Sequence, residues 1–306
     1  MEESYQPPPH PPRLLSDIDI RSFAKQGHMN LFLSHDHAVL AEKVFASAED
    51  YFDQEDSIKR EKYPQAQGTE LGYSLLDSEK EYLTLRASSS DTQDPLEVLS
   101  TQLWRTTATL LHRILVDLSH AMDIDPSAWD PLLDGCLAMP TRQQDMTPTL
   151  LRIFNYFPDS VTAGRHVDNG LLTLCISAEP GLQVLDMSPG SASGDGSGPE
   201  AWRDVEGATL LAGSTLQVFS RDRIRAGAHR VVGNSEGRRS LVFALRPSLR
   251  HPRVDLTKFG GEGETDIREL YRGIKENRHN VNAPKELREQ QKREQLEKAQ
   301  GVAGSR

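Results

Sequence analysis

The sequence predicts a mainly β protein with flanking α-helices, and three observations predict it. After about residue 147, short apolar runs separated by Gly, Pro, Asp and Ser replace helical periodicity. Before that point, one stripe of apolar residues at helical spacing runs from Leu96 to Met122. After residue 250 the pattern returns to short, charge-rich helices. Short strands at the spacing of the middle region build a β-sandwich or barrel.

Residues 1–13 are Pro-rich, with Pro7, Pro8 and Pro9 in a row and few side chains to pack, so an extended or disordered leader is expected. Residues 14–146 read as a mostly helical region packed on the core. It holds a short strand at Asn30–Ser34 and a helix from Ala38 to Phe52. Asp94 is a natural N-cap, with Pro95 at the first helical position of the long helix. A shorter helix follows near Ser127–Leu133. Residues 147–250 form the β core, with strands expected at Leu150–Phe157, Leu171–Ile176, Gly181–Leu185, Thr209–Leu211, Leu216–Phe219, His229–Val232 and Ser240–Leu245. Ser188–Pro199, rich in Gly and Ser, reads as an extended hairpin tip. Residues 251–306 form a helical tail, with helices at Asp266–Lys275 and Pro284–Lys298; the second could fold back or meet another chain. The whole reads as one structural unit.

Among 306 residues, 35 Lys and Arg stand against 45 Asp and Glu, a formal charge of −10. That balance repels nucleic-acid phosphate and anionic lipid, so neither partner is expected. Two cysteines, Cys136 and Cys175, build no disulfide framework and no zinc-finger spacing. The acidic, Pro-rich N-terminus is unlike a signal peptide, and no apolar run approaches the ~18 residues that span a bilayer. A cytoplasmic protein is the expectation.

The residues that can carry chemistry lie in the β region. In His166-Val-Asp168, extended backbone points an imidazole and a carboxylate to the same side. His229 opens another strand 63 residues later. Two His and one carboxylate form a facial triad that leaves metal positions open, the preference of non-haem Fe(II). Arg238 and Ser240 share the same spacing of two, presenting a guanidinium fork and a hydroxyl that suit a carboxylate. The Ser34-His-Asp-His37 cluster reads as a helix cap rather than a second metal site, and His112 and His120 as surface or half-buried helix residues.

Taken in order, Asn155-Tyr-Phe-Pro158, His166-Val-Asp-Asn-Gly170, Gly181-Leu-Gln-Val, Trp202-Arg-Asp-Val, His229-Arg-Val and Arg238-Arg-Ser240 resemble the isopenicillin N synthase-like family of Fe(II)/2-oxoglutarate-dependent dioxygenases. Upstream, Leu31–His35, Lys59, Gly72-Tyr73 and Glu79–Tyr82 are similar to that family's N-terminal region, so the resemblance covers residues 25 to 250. It implies a double-stranded β-helix, or jelly roll. It also implies iron ligands at His166, Asp168 and His229, with a clamp for the distal carboxylate of 2-oxoglutarate at Arg238 and Ser240. Asn155 and Tyr156 match a block that helps hold 2-oxoglutarate, although Phe157 stands where the family commonly has Tyr. Ser214 replaces a usual Asp and is expected to shape a turn.

The resemblance implies an enzyme that binds Fe(II), 2-oxoglutarate and O₂ and oxidises a small organic molecule. Hydroxylation, desaturation or ring formation would accompany decarboxylation of 2-oxoglutarate to succinate and CO₂, in specialised metabolism. A 2-oxoglutarate-independent iron oxidase of the same family and a silent jelly-roll binding protein are the alternatives. Strand parity adds one inference: if Arg238 and Ser240 face the interior, so do Val242 and Ala244, and Ala244 would line the substrate space.

Overall fold

The computed structural model describes residues 12–88, 93–160, 163–188, 200–276, 281–283, 285–291 and 293–294. Nearly all of the Pro-rich leader, the Gly/Ser-rich segment beyond Ser188 and the end of the expected C-terminal helix lie outside them. Among the described residues, no helix is long and apolar enough to cross a membrane.

Helix α1 (Asp17–Gln26) opens on a capping box in which Ser16 and Asp19 satisfy each other's amides. Strand β1 (His28–Leu31) begins two residues before the expected start and pairs antiparallel with β7 (Trp202–Ala212). Ser34 caps α2 (His35–Phe52), its hydroxyl accepting from the His37 amide at 3.3 Å. After α3 (Asp56–Lys62), the hairpin β2 (Gly72–Leu76) and β3 (Lys80–Leu85) extends the main sheet, strands that the apolar pattern did not announce. The long helix is α4 (Pro95–Met122), capped by Asp94 with Pro95 in its first turn. A 3₁₀ turn at Pro126–Trp129 and α5 (Asp130–Leu133) follow.

The core is a large curled antiparallel sheet, the jelly roll that the family resemblance implied. Its spatial order is β1-β7-β6-β9-β4-β3-β2, with β4 (Leu150–Tyr156), β6 (Leu172–Leu185) and β9 (Arg238–Leu245) at the centre. Strands β5 (Ala163–His166) and β8 (His229–Val231) pair with each other, and β8 also pairs with β6, closing the second wall. Two expected strands, Leu171–Ile176 and Gly181–Leu185, are one strand. Residues 172–176 of β6 pair with β9 and residues 182–184 with β8, across a register shift between Ser177 and Leu182. Gly181 permits the bend: at φ +127° a Cβ would sit 2.8 Å from the Val232 carbonyl.

One expectation fails. Leu216–Phe219 is not a strand but part of α6 (Ser214–Phe219). A four-residue apolar run has no period to decide between the two, and here Leu216 and Phe219, three apart, bury while Val218 is exposed.

Alternation along the central strands separates two faces. Leu151, Ile153, Leu241, Phe243 and Leu245 face the helical layer, where Trp104 of α4 packs edge-on against Phe243 at 5.1 Å. Leu150, Arg152, Phe154 and Tyr156 face the opposite way, into the roll, with Arg238, Ser240, Val242 and Ala244. The chain continues into a small hairpin, β10 (Arg253–Asp255) with β11 (Glu264–Asp266), then α7 (Ile267–Glu276). The described residues from 281 to 291 fold back on the roll. Arg288 grips Glu79 with both terminal nitrogens, and Asn282 accepts from Lys80 at 2.9 Å.

Candidate active site

The interior of the roll is a cavity of about 640 Å³, within the size range of small-molecule sites. His166 ends β5 and His229 begins β8, and the two are paired across the ladder. Asp168 lies two residues past β5. One donor atom from each of the three residues lies within 4.8 Å of the others, which suits a single metal ion.

Each imidazole is oriented by its own backbone. His166 Nδ1 lies 2.8 Å from the Gly164 carbonyl, and His229 Nδ1 lies 3.0 Å from the Gly227 carbonyl. A carbonyl only accepts, so Nδ1 carries the proton in both rings and Nε2 keeps its lone pair for a metal. Burial, and then the facing His229, push the His166 pKa down, in the direction of the neutral ring that a metal ligand must be. Burial works against ionisation of Asp168, but the shared His229–His166 site and the Thr173 hydroxyl favour the carboxylate and hold it below its usual range.

Asp168 owes its position to α6. The amides of Ser214 and Thr215 donate to the carbonyls of Asp168 and Gly170 at 2.8 and 3.0 Å, and the Thr215 hydroxyl donates to the Asn169 carbonyl at 2.5 Å. Gly213 makes this approach possible, since a Cβ there would lie 2.1 Å from the Gly170 oxygen. Ser214 therefore does more than shape a turn: its amide fixes the backbone of a candidate metal ligand.

Farther along the cavity, Arg238 and Ser240 are buried, and among the described residues Arg238 Nε and Ser240 Oγ find no hydrogen-bond partner. A buried guanidinium with an unused N–H beside an unused hydroxyl is costly unless something else satisfies it. Tyr156 lies alongside, with the Arg238 guanidinium 5.7 Å from its ring centre, and burial pushes its phenol well above the usual value. Ala244 lines the same cavity near Leu150 and Thr173.

Asn155 is not brought to the cavity. One residue before Tyr156, it points to the other face of β4 and donates to Glu81 Oε1 at 2.9 Å. There Glu81 also accepts from Lys59 Nζ at 2.6 Å and the Tyr73 hydroxyl at 2.8 Å. Lys59, Tyr73 and Glu81 come from the N-terminal blocks that carried the resemblance, and they tie α3, β2 and β3 to β4.

Several cavity residues were not found from the sequence. Arg152 shares the inward parity of Tyr156, and a charged residue within a mostly apolar strand was the signal available. Glu70, Arg86, Arg246 and Lys275 line the cavity from loops, an outlying strand end and α7, with no shared motif.

No protein-family model matches the chain, and neither does any curated protein sequence. Solved structures do. A putative 2OG-Fe(II) oxygenase family protein from Caulobacter crescentus superposes with a TM-score of 0.65 at 18% identity, over 84% of this chain and 92% of its own. A full-length Neurospora crassa protein, solved in complex with alpha-KG and 5-formyluracil, gives 0.62 at 19% identity, over 84% of this chain and 89% of its own. The dioxygenase for auxin oxidation from rice gives 0.60 at 17% identity, over 83% and 86%. The chain therefore has the jelly-roll fold of these oxygenases.

Proposed function

We propose that the chain is an Fe(II)- and 2-oxoglutarate-dependent oxygenase acting on a small organic molecule. The observation that carries this reading is the pairing, in one cavity, of a His166–Asp168–His229 donor set with a buried and unsatisfied Arg238–Ser240 pair. The three donors present two imidazole nitrogens and one carboxylate, a set suited to Fe(II) with positions to spare. Arg238 and Ser240 offer N–H and O–H groups to one end of a dicarboxylate, which explains an uncompensated buried guanidinium.

Bound iron with 2-oxoglutarate and O₂ supplies oxidation of the substrate, with succinate and CO₂ as co-products. The protein's share is geometric. His166 and His229 are aimed by their own backbone carbonyls, Asp168 is pinned by α6, and Arg238 fixes which end of the co-substrate points away from the metal.

The order of the sequence blocks favours the isopenicillin N synthase-like branch and, with it, a role in specialised metabolism; two cysteines without a disulfide framework favour a reducing compartment such as the cytoplasm. The complexes of the Neurospora crassa protein with alpha-KG support the co-substrate.

The test is an anaerobic titration of metal-free protein with Fe(II) and then 2-oxoglutarate, following the visible metal-to-ligand charge-transfer band. The band is expected in the wild type, absent in His166→Ala, and formed only at much higher 2-oxoglutarate in Arg238→Ala. Bound iron without a band on adding 2-oxoglutarate would favour an oxidase that draws all its electrons from the substrate.

A further inference from the structure

Among the described residues that line the cavity, six are cationic and two acidic, in a chain whose formal charge is −10. Asp168 belongs to the metal site, Arg238 to the co-substrate clamp, and Arg165 pairs with Glu200 at 2.6 Å. What remains is a second cationic pole toward the other end of the cavity: Arg86, Arg152, Arg246 and Lys275, against Glu70 alone.

Glu70 is shared. Arg152 reaches it at 2.9 Å and Arg246 at 3.0 Å to both oxygens. Those two guanidinium groups hold its carboxyl well below the usual range against the opposing effect of burial. One carboxylate does not exhaust these donors. Among the described residues, Arg246 uses only Nη1, on Glu70 and the Pro148 carbonyl, and the Arg86 side chain bonds the Thr147 carbonyl. Arg152 is 7% exposed and its guanidinium lies over the rings of Tyr82 and Phe154 at 5.0 and 5.7 Å, so it is fixed in place and poorly hydrated. Lys275 is exposed, but positive charge in excess on buried Arg152 and half-buried Arg86 and Arg246 is costly unless an anion completes it. Beside this pole, Leu150, Phe154, Val242 and Ala244 of β4 and β9 give the cavity an apolar wall.

Resting on the oxygenase reading of the site, we infer that the substrate is an organic oxyanion whose carboxylate or phosphate is held by Arg152 and Arg246 while its apolar body lies along Phe154 and Ala244. The arrangement gives one cavity two anion sites of different purpose, Arg238 for the co-substrate and the Arg152–Arg246 pair for the substrate. Glu70 keeps the second pair aligned when it is empty and limits how tightly the anion is held.

The test is calorimetry on the anaerobic Fe(II) protein saturated with 2-oxoglutarate, so that Arg238 is already engaged. The probes are matched pairs: 3-phenylpropanoate with its amide, octanoate with its amide, and phenethyl phosphate with phenethyl alcohol. At least one anion is expected to bind about tenfold or more tightly than its neutral partner. That ratio should fall below about threefold in Arg246→Gln and in Arg152→Gln. The carboxylate and phosphate arms decide between the two oxyanions. If either arginine variant fails to fold, Glu70→Gln should raise the ratio and Lys275→Gln lower it, reading the same field with opposite signs. No preference for any anion, or a preference indifferent to all four substitutions, overturns the inference. The charge-transfer band reads the oxygenase assignment separately: a normal band without anion preference removes this inference alone, and a missing band with a preference lost in Arg246→Gln removes only the oxygenase reading.

Discussion

His166 and His229 face each other as a register pair across β5 and β8, with ring centroids 4.1 Å apart. Paired positions in an antiparallel ladder project to one side, so backbone hydrogen bonds set the spacing of the two imidazoles. Asp168 has no strand to hold it, and the amides at the start of α6 take over that task. Two candidate ligands are thus positioned by a sheet and one by a helix terminus.

Arg238→Gln should leave Fe(II) affinity unchanged and raise the 2-oxoglutarate requirement. A hydrogen bond to a charged group contributes about 1.5–3 kcal/mol, which corresponds to roughly 10- to 100-fold in affinity. Titration of 2-oxoglutarate into the Fe(II) protein reads this directly, and an unchanged midpoint would remove Arg238 from the clamp.

Ala244→Phe should abolish turnover while iron and 2-oxoglutarate still bind. The new ring would project into the apolar stretch beside Leu150 and Thr173, where overpacking or lost volume costs the substrate its place. Succinate formation coupled to substrate is the readout; normal turnover would take Ala244 out of the substrate space.

Glu81→Ala should destabilise the fold by about 3 kcal/mol, because it strands the buried Lys59 ammonium. Asp56, 3.0 Å from Lys59, offsets part of that loss. Urea unfolding measures the effect, and the 2-oxoglutarate midpoint of the folded variant should match the wild type. A raised midpoint without destabilisation would instead connect Asn155 to the co-substrate.

His28 gives the fold an acid-sensitive element. The ring is 2% exposed, and burial, followed by the charge of Arg203, lowers its pKa from 6.5 to about 4. Between those values the unfolded chain binds the proton and the folded one does not, so stability falls as pH drops from about 6.5 to about 4 and levels off below. The contribution is on the order of 3 kcal/mol. In metal-free protein, His28→Gln should flatten this segment of the pH–stability curve relative to the wild type, and identical slopes would exclude His28 as its source.

Local chemistry made much of this molecule legible. Asp94-Pro95 and a long apolar stripe specify α4, and the spacing of two in Arg238-Arg-Ser240 places that pair on one face of β9, whereas Asp168 meets His166 from beyond the end of β5. The parity argument that puts Ala244 in the cavity and Phe243 against Trp104 holds because a strand has only two faces. The same rule excludes Asn155, a step that a matched sequence block does not take. Pro180-Gly181 imitates a turn inside β6, and Leu216–Phe219 is too short to reveal its period. The second cationic pole was hidden for a different reason. Glu70 and Arg246 are 176 residues apart and meet only through the closed fold.

Strand β6 binds β9 with its first half and β8 with its second, so the clamp and a metal ligand hang from one uninterrupted backbone. If these residues hold iron and 2-oxoglutarate as proposed, the distance between the two anchor points depends on a single peptide segment, whose joint is the register shift between Ser177 and Leu182. Stiffening or lengthening that joint would retune both anchor points together, and a designer seeking room for a longer or shorter co-substrate would start there rather than at either set of binding side chains.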